Sequence, residues 1–130
     1  MVRANLQDNC EIVGGSNGVT TDNSANSAGD AHTTISHCTI HYGSGVAVEA
    51  NGPSGGGRAV VMVANSAVIN NTNSLSADGA KAYIALNNSF IASTGVVSNT
   101  TSGGTIATFS NNGVSGYATF GAAFSPQPLQ

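Results

Sequence analysis

Six carboxylates, three basic residues and three histidines are the whole stock of acid–base and electrostatic chemistry in this 130-residue chain. Asp22, Asp30 and His32 surround the polar run Asn23-Ser24-Ala25-Asn26-Ser27. Glu49 and Arg58 bracket Gly52-Pro53-Ser54-Gly55-Gly56-Gly57, and Asp78 and Lys81 stand at the equivalent place further on. Carboxylates that a fold brings side by side can act as a paired acid and base or hold a calcium ion, and loops gathered on one flank of a repeat protein often form its binding surface. A glycosidase needs two carboxyl groups facing each other at about 5–9.5 Å across a groove. Glu49 with Asp22 or Asp78 is the pair to consider for that role, yet no spacing in the sequence singles it out. Turns are also where a repeat protein keeps its few charges. Asp22, Asp30, His32, Glu49, Arg58 and Asp78 are therefore read as a ligand-binding flank, with no catalytic residue, metal site or cofactor assigned.

Cys10, Cys38, His37 and His41 are the other reactive side chains. Two cysteines make neither a dense disulfide framework nor a four-ligand zinc pattern. His37 and His41 flank Cys38, but one occupies a corner and the other an outward strand position, so the three would diverge rather than share a metal. Cys10 and Cys38 fall at equivalent places of adjacent repeats, and their Cα atoms are expected about 4.8 Å apart, within the range a disulfide accepts. Parallel side-chain directions make that bond awkward, and a pair of buried small apolar residues is the plainer reading.

What must position these residues is a repeat. One phrase recurs: Asn9-Cys10-Glu11-Ile12, His37-Cys38-Thr39-Ile40, Asn65-Ser66-Ala67-Val68, Asn88-Ser89-Phe90-Ile91 and Asn111-Asn112-Gly113-Val114. Ile35, Val63, Leu86 and Phe109 each stand five positions before the aliphatic residue of a phrase, and Thr33, Val61, Ile84 and Ala107 two before that. Val19, Val46, Leu75 and Val97 follow six or seven positions later. Each repeat thus has a leading, a middle and a trailing strand of the alternating kind that buries one face. One repeat cannot hide that face alone, but coils stacked about 4.8 Å apart bury continuous columns of like side chains. The expected fold is all-β: a single-stranded parallel β-helix of about five coils with three short strands per coil. Asn9, Asn65, Asn88 and Asn111, interrupted by His37, are structural, since asparagine tolerates left-handed backbone angles and its amide can bond its counterpart one coil away. Ala77 to Leu86 is alanine-rich enough to suggest a helix, but Ile84 and Leu86 fall in register with Val61 and Val63.

Composition agrees with a polar-jacketed solenoid. Charged residues make up 7% of the chain, against roughly 25% in an average soluble domain, so solubility has to come from Asn, Ser and Thr. Three basic residues and a net charge of −3 cannot neutralise a run of phosphates, which excludes nucleic acid. No apolar run reaches the roughly 20 residues of a membrane span, and the first six residues lack the hydrophobic stretch of a secretory signal. Localisation stays open, extracellular or cell-surface if the chain is exported. The length suits one domain over residues 1–130.

Asn-Ser-x-Val/Ile phrases followed by Gly103-Gly104-Thr105-Ile106-Ala107-Thr108-Phe109-Ser110-Asn111-Asn112 resemble bacterial right-handed β-helix repeat proteins, which share the pectate-lyase-like fold. The resemblance spans roughly Asn9 to Gln130 and implies a right-handed coil. The stretch from Phe120 to Gln130 is similar to the C-terminal end of that group. Enzymes of this fold carry clustered aspartates, calcium or a catalytic arginine on one sheet. The matching outward positions here, Glu11, Thr39, Ala67, Phe90 and Gly113, offer one carboxylate and no partner.

Outward positions of the leading strand form two unusually apolar rows, His32, Val60, Tyr83 and Ile106, then Thr34, Met62, Ala85 and Thr108. Such a patch points to a partner surface, so Val60, Met62, Tyr83 and Ile106 are interface candidates for a homo-oligomer. The unpaired N-terminal coil is a second candidate. Residues 118–130, with Pro126 and Pro128, are too proline-rich for another full coil and are read as a tail that covers the apolar rows or caps the last coil. Together these readings favour a non-catalytic structural or surface protein that presents its loop-bearing flank to carbohydrate or to a protein. The alternative is a polysaccharide lyase or glycoside hydrolase of the β-helix type. Ice binding needs regular threonine rows, which the middle repeats lack.

Overall fold

A strand that hides alternate side chains needs a partner on each side, and here the partner is the equivalent strand of the next repeat. The computed structural model describes residues 1–116 and 118–128, and among these there are strands and no helix. Tyr117 lies outside the described residues, as do Leu129 and Gln130 at the end of the expected tail. The leading strands are β1 (Val2–Gln7), β4 (Asp30–Ser36), β7 (Arg58–Ala64), β9 (Ala82–Asn87), β11 (Thr105–Thr108) and β14 (Ser125–Pro126). They stack in sequence order as one six-stranded parallel sheet. Middle and trailing strands are β2 (Glu11–Val13) and β3 (Asn17–Asp22) in the first coil, then β5 (Thr39–His41) and β6 (Val46–Asn51) in the second. In the next two coils they run together as the long bent β8 (Ala67–Asp78) and β10 (Phe90–Thr101), and they separate again as β12 (Gly113–Ser115) and β13 (Thr119–Gly121). All of these pairings are parallel too, so the chain is a β-solenoid.

The core is the set of columns inside this winding. Ile12, Ile40, Val68, Ile91 and Val114 pair in unbroken register, as the repeat phrase requires. Ile40, Val68 and Ile91 are at most 2% exposed, each worth about 1.5–3 kcal/mol of burial. Leu6, Ile35, Val63 and Leu86 form the second column, and Ala4, Thr33, Val61, Ile84 and Ile106 the third.

Corners are built as the asparagines suggest. Asn9, His37, Asn65 and Asn88 all have positive φ, between 46° and 65°, and the Asn88 amide donates to Asn65 Oδ1 at 2.7 Å. Next to them runs a column of Cys10, Cys38, Ser66, Ser89 and Asn112, buried at Cys38, Ser66 and Ser89 and half-buried at its two ends. Ser66 Oγ accepts from the Cys38 N–H at 3.1 Å and donates to the Ala64 carbonyl at 2.7 Å. Ser89 Oγ accepts from the Ser66 N–H at 3.2 Å, and Asn112 Oδ1 from the Ser89 N–H at 2.7 Å. Each small polar group satisfies an amide that the bend would otherwise leave buried without a partner.

Two expectations need correction. In the last coil Leu86 pairs with Thr108 and Ile84 with Ile106, so Ile106 points inward, 1% exposed, and Thr105 takes its place beside Tyr83. The cause is one extra residue in that corner: Thr108 to Val114 is one step longer than Leu86 to Ile91. Ser110 rather than Asn111 therefore takes the left-handed angle, with φ 66°, while the Asn111 amide joins the ladder through Asn87 Oδ1 at 2.7 Å. In the trailing strands the column is Val19, Val48, Leu75 and Ser98. Val46 is out of this column because the Tyr42–Gly45 turn is one residue longer than its counterparts, and Val97, itself buried, because Ser98 one position later is the residue in register with Leu75. Gly121 continues this column, and a Cβ there would lie 1.9 Å from the Ser98 carbonyl oxygen. Among the described residues, the tail lies at the end of the winding. Its strands β13 and β14 add rungs beneath β10 and β11.

Candidate functional site

Register decides which polar side chains share a surface. On the outward side of the trailing strands, Thr20, Glu49, Ser76 and Asn99 stand in one row, and Asp22, Asn51, Asp78 and Thr101 in the next. Successive members of a row are about 4.8 Å apart and the rows about 7 Å. The result is one nearly flat panel of hydroxyls, amides and carboxylates that runs across four rungs.

The carboxylates on this panel are held by neighbours. Thr20 Oγ1 donates to Glu49 Oε2 at 3.2 Å, and Thr101 Oγ1 donates to Asp78 Oδ1. The Ser24 N–H donates to Asp22 Oδ1 at 2.8 Å. That bond, followed by the Ser24 side chain, lowers the Asp22 pKa below the usual carboxylate value. Asp22 and Asp78 occupy the same row but are separated by the neutral Asn51. Glu49 stands diagonally between them, so the three share one face instead of confronting one another across a cleft.

A depression of about 240 Å³ adjoins the panel, lined by Val46, Asn73, Ser76, Val96 and Asn99. Val46, Asn73 and Val96 are register partners on three successive rungs. Two valines thus supply an apolar floor, and Asn73, Ser76 and Asn99 put hydrogen-bonding groups around it.

The rest of the sequence-predicted flank lies elsewhere. Asp30 and Arg58 pair at the start of the leading sheet, and His32 sits on its outward face beside Val60. His32 Nε2 is 3.7 Å from Asp30 Oδ2 and is buried without a hydrogen bond. Between the two groups run the loops at residues 23–29 and 52–57. They are stitched together by Asn23, whose amide donates to the Gly29 and Arg58 carbonyls at 2.7 and 2.9 Å. A Cβ on Gly57 would fall 1.8 Å from the Gly29 carbonyl oxygen, so these loops pack backbone on backbone. Lys81 Nζ closes the corner on the Gly56 carbonyl at 2.6 Å. The flank is therefore two surfaces with a packed corner between them: Asp22, Glu49 and Asp78 on one, Asp30, His32 and Arg58 on the other.

Among the interface candidates, Val60, Met62 and Tyr83 are outward on the leading sheet, with Val60 already 6% exposed. His41 Nε2 meets Glu11 Oε1 at 2.7 Å, whereas His37 Nδ1 contacts its own neighbour Ser36 Oγ at 2.9 Å. Among the described residues no group of three or more His, Cys, Asp or Glu could hold a metal ion. No helix there is long and apolar enough to cross a membrane. Sequence reasoning missed Asn51, Asn73, Ser76 and Asn99, because nothing distinguishes them from the many other asparagines and serines until register puts them beside Glu49 and Asp78. In comparisons with known proteins, the chain matches no family model, no curated protein and no solved structure.

Proposed function

We propose that this protein is a non-catalytic β-solenoid that binds carbohydrate along the outward panel of its trailing strands. The observation that carries this reading is the double row Thr20, Glu49, Ser76, Asn99 and Asp22, Asn51, Asp78, Thr101 beside the Val46–Val96 depression. Amides and carboxylates in a flat array match the vicinal hydroxyls of a sugar, and an apolar floor suits the C–H face of a ring. Regular rungs favour an extended chain over a compact ligand. The carboxylates support binding rather than turnover: they lie side by side on one face, each engaged by a hydroxyl or an amide N–H, and do not confront one another across a groove. In the same reading the coil belongs to the right-handed, pectate-lyase-like β-helices of bacteria, in keeping with three strands per coil and an asparagine corner.

A glycan array followed by titration calorimetry tests this. Asn99→Ala and Glu49→Ala are expected to weaken the selected glycan at least about tenfold, from lost hydrogen bonds to charged or amide groups. Arg58→Ala, across the packed corner, should leave affinity unchanged. A wild-type protein that binds no glycan, or panel variants that bind as well as it does, would overturn the proposal. Steady release of new reducing ends or unsaturated products from the bound polymer would replace it with an enzymatic function.

A further inference from the structure

The corner column changes chemistry along its length. Ser66, Ser89 and Asn112 fill it in the third to fifth coils, while Cys10 and Cys38 fill it in the first two. Cys38 does what the serines do, since its Sγ donates to the Ser36 carbonyl at 3.2 Å as Ser66 Oγ does to that of Ala64. Hydrogen bonding alone therefore does not call for sulfur. What sulfur adds is the capacity to bond to a second sulfur, and the two thiols stand on consecutive rungs.

We propose that Cys10 and Cys38 are a redox-modifiable pair that forms a disulfide locking the first coil onto the second. The placement follows from the backbone. Glu11 and Thr39 are register partners, and the Thr39 N–H bonds to the Cys10 carbonyl at 2.9 Å. The cysteines are therefore equivalent residues at the corners of adjacent coils, each just before a paired strand, where a rung spacing of about 4.8 Å falls inside the 4.4–6.8 Å Cα range of disulfides. Both follow a residue of positive φ, Asn9 at 65° and His37 at 55°. They sit in the bend just before β2 and β5 rather than in the middle of a flat ladder.

Access sets the order of events. Cys10 is half-buried and Cys38 is buried, 3% exposed. Burial, followed by the adjoining Cys10 side chain, pushes the Cys38 thiol pKa up, so Cys10 is the nucleophile that meets an external oxidant. With a small disulfide such as oxidised glutathione, the Cys10 thiolate attacks one sulfur and expels one glutathione thiolate. The Cys38 sulfur, losing its proton, then attacks Cys10 Sγ in the mixed disulfide and expels the second glutathione. Two protein thiols are oxidised and one small disulfide is reduced to two thiols.

The test is to reduce the folded protein, remove the reductant, add oxidised glutathione and follow free thiols and intact mass. The expected result is loss of both thiols, a mass lower by two hydrogens, and a non-reduced Cys10–Cys38 peptide pair. The melting temperature should rise by roughly 5 °C or more over the reduced form. Cys10→Ser and Cys38→Ser, which place in the column the residue it already has at Ser66 and Ser89, should fold and lose the rise. Two titratable thiols at unchanged mass, a stable glutathione adduct on Cys10, or a bond only between separate molecules would each overturn the proposal.

Discussion

The solenoid has two chemically different lengths wound on one core. All three basic residues, all six acidic residues and all three histidines precede Ala82, and residues 82–130 contain none of them. Yet Ile40 in the charged length and Ile91 in the neutral length stand in the same column with the same burial, on either side of Val68. Charge therefore contributes nothing the winding requires.

The reason lies in stacking. Equivalent residues of successive coils lie about 4.8 Å apart, so a repeated charge would repel itself while a repeated amide or hydroxyl bonds to itself. The charged length respects this rule: Asp22 and Asp78 are separated by Asn51, Glu49 is flanked by Thr20 and Ser76, and Asp30 faces Arg58. The neutral length has no charge to separate and instead bonds amide to amide, Asn111 to Asn87 within it and Asn88 back to Asn65 of the charged length. Carboxylates kept from adjoining one another within a row, without need in the fold, are available for a ligand.

The severest way to break this comparison is to charge the shared core. Val68→Asp puts an unpaired carboxylate in a site with 0% exposure and is expected to abolish the cooperative unfolding transition, as followed by circular dichroism. Ile40→Ala and Ile91→Ala sharpen it, because each should cost about 2–5 kcal/mol in urea unfolding and the two should agree within about 1 kcal/mol. A much cheaper loss at Ile91 would mean that the neutral length is not held by the same packing.

Subtler is a charge on the surface. Asn51→Asp places a third carboxylate in line with Asp22 and Asp78 and should cost about 1 kcal/mol at low ionic strength, recovered in high salt. Asn99→Asp, in the neutral length, should cost less and respond less to salt. Smallest is the acid response of Asp22. Its folded pKa is depressed, so its contribution to stability is present above the ordinary carboxylate pKa and fades as pH falls through the lowered one. Melting curves from neutral pH downward should show Asp22→Asn without that small part of the acid-side loss.

Much of the winding could be read from spacing. The column Ile12 to Val114 was legible because one aliphatic residue recurs at a fixed offset from an asparagine or histidine corner, and stacking turns that offset directly into contact. The reading failed where a corner gained one residue. Ile106 and Phe109 were displaced by an extra step near Asn111, and Val46 by a longer turn at Tyr42. A single residue moves every later side chain to the other face of a strand, and turn length is weakly marked in a chain rich in Gly, Ser and Asn.

The sequence by itself determined that apolar side chains alternate and recur, which is sufficient for parallel coils, since identical faces can be hidden only by each other. Only the tertiary structure decided which neutral residues join Glu49 and Asp78 on one panel and which charges the Asn23 corner keeps apart. Side-chain neighbours across rungs are set by backbone register, a property of paired strands that no single repeat contains.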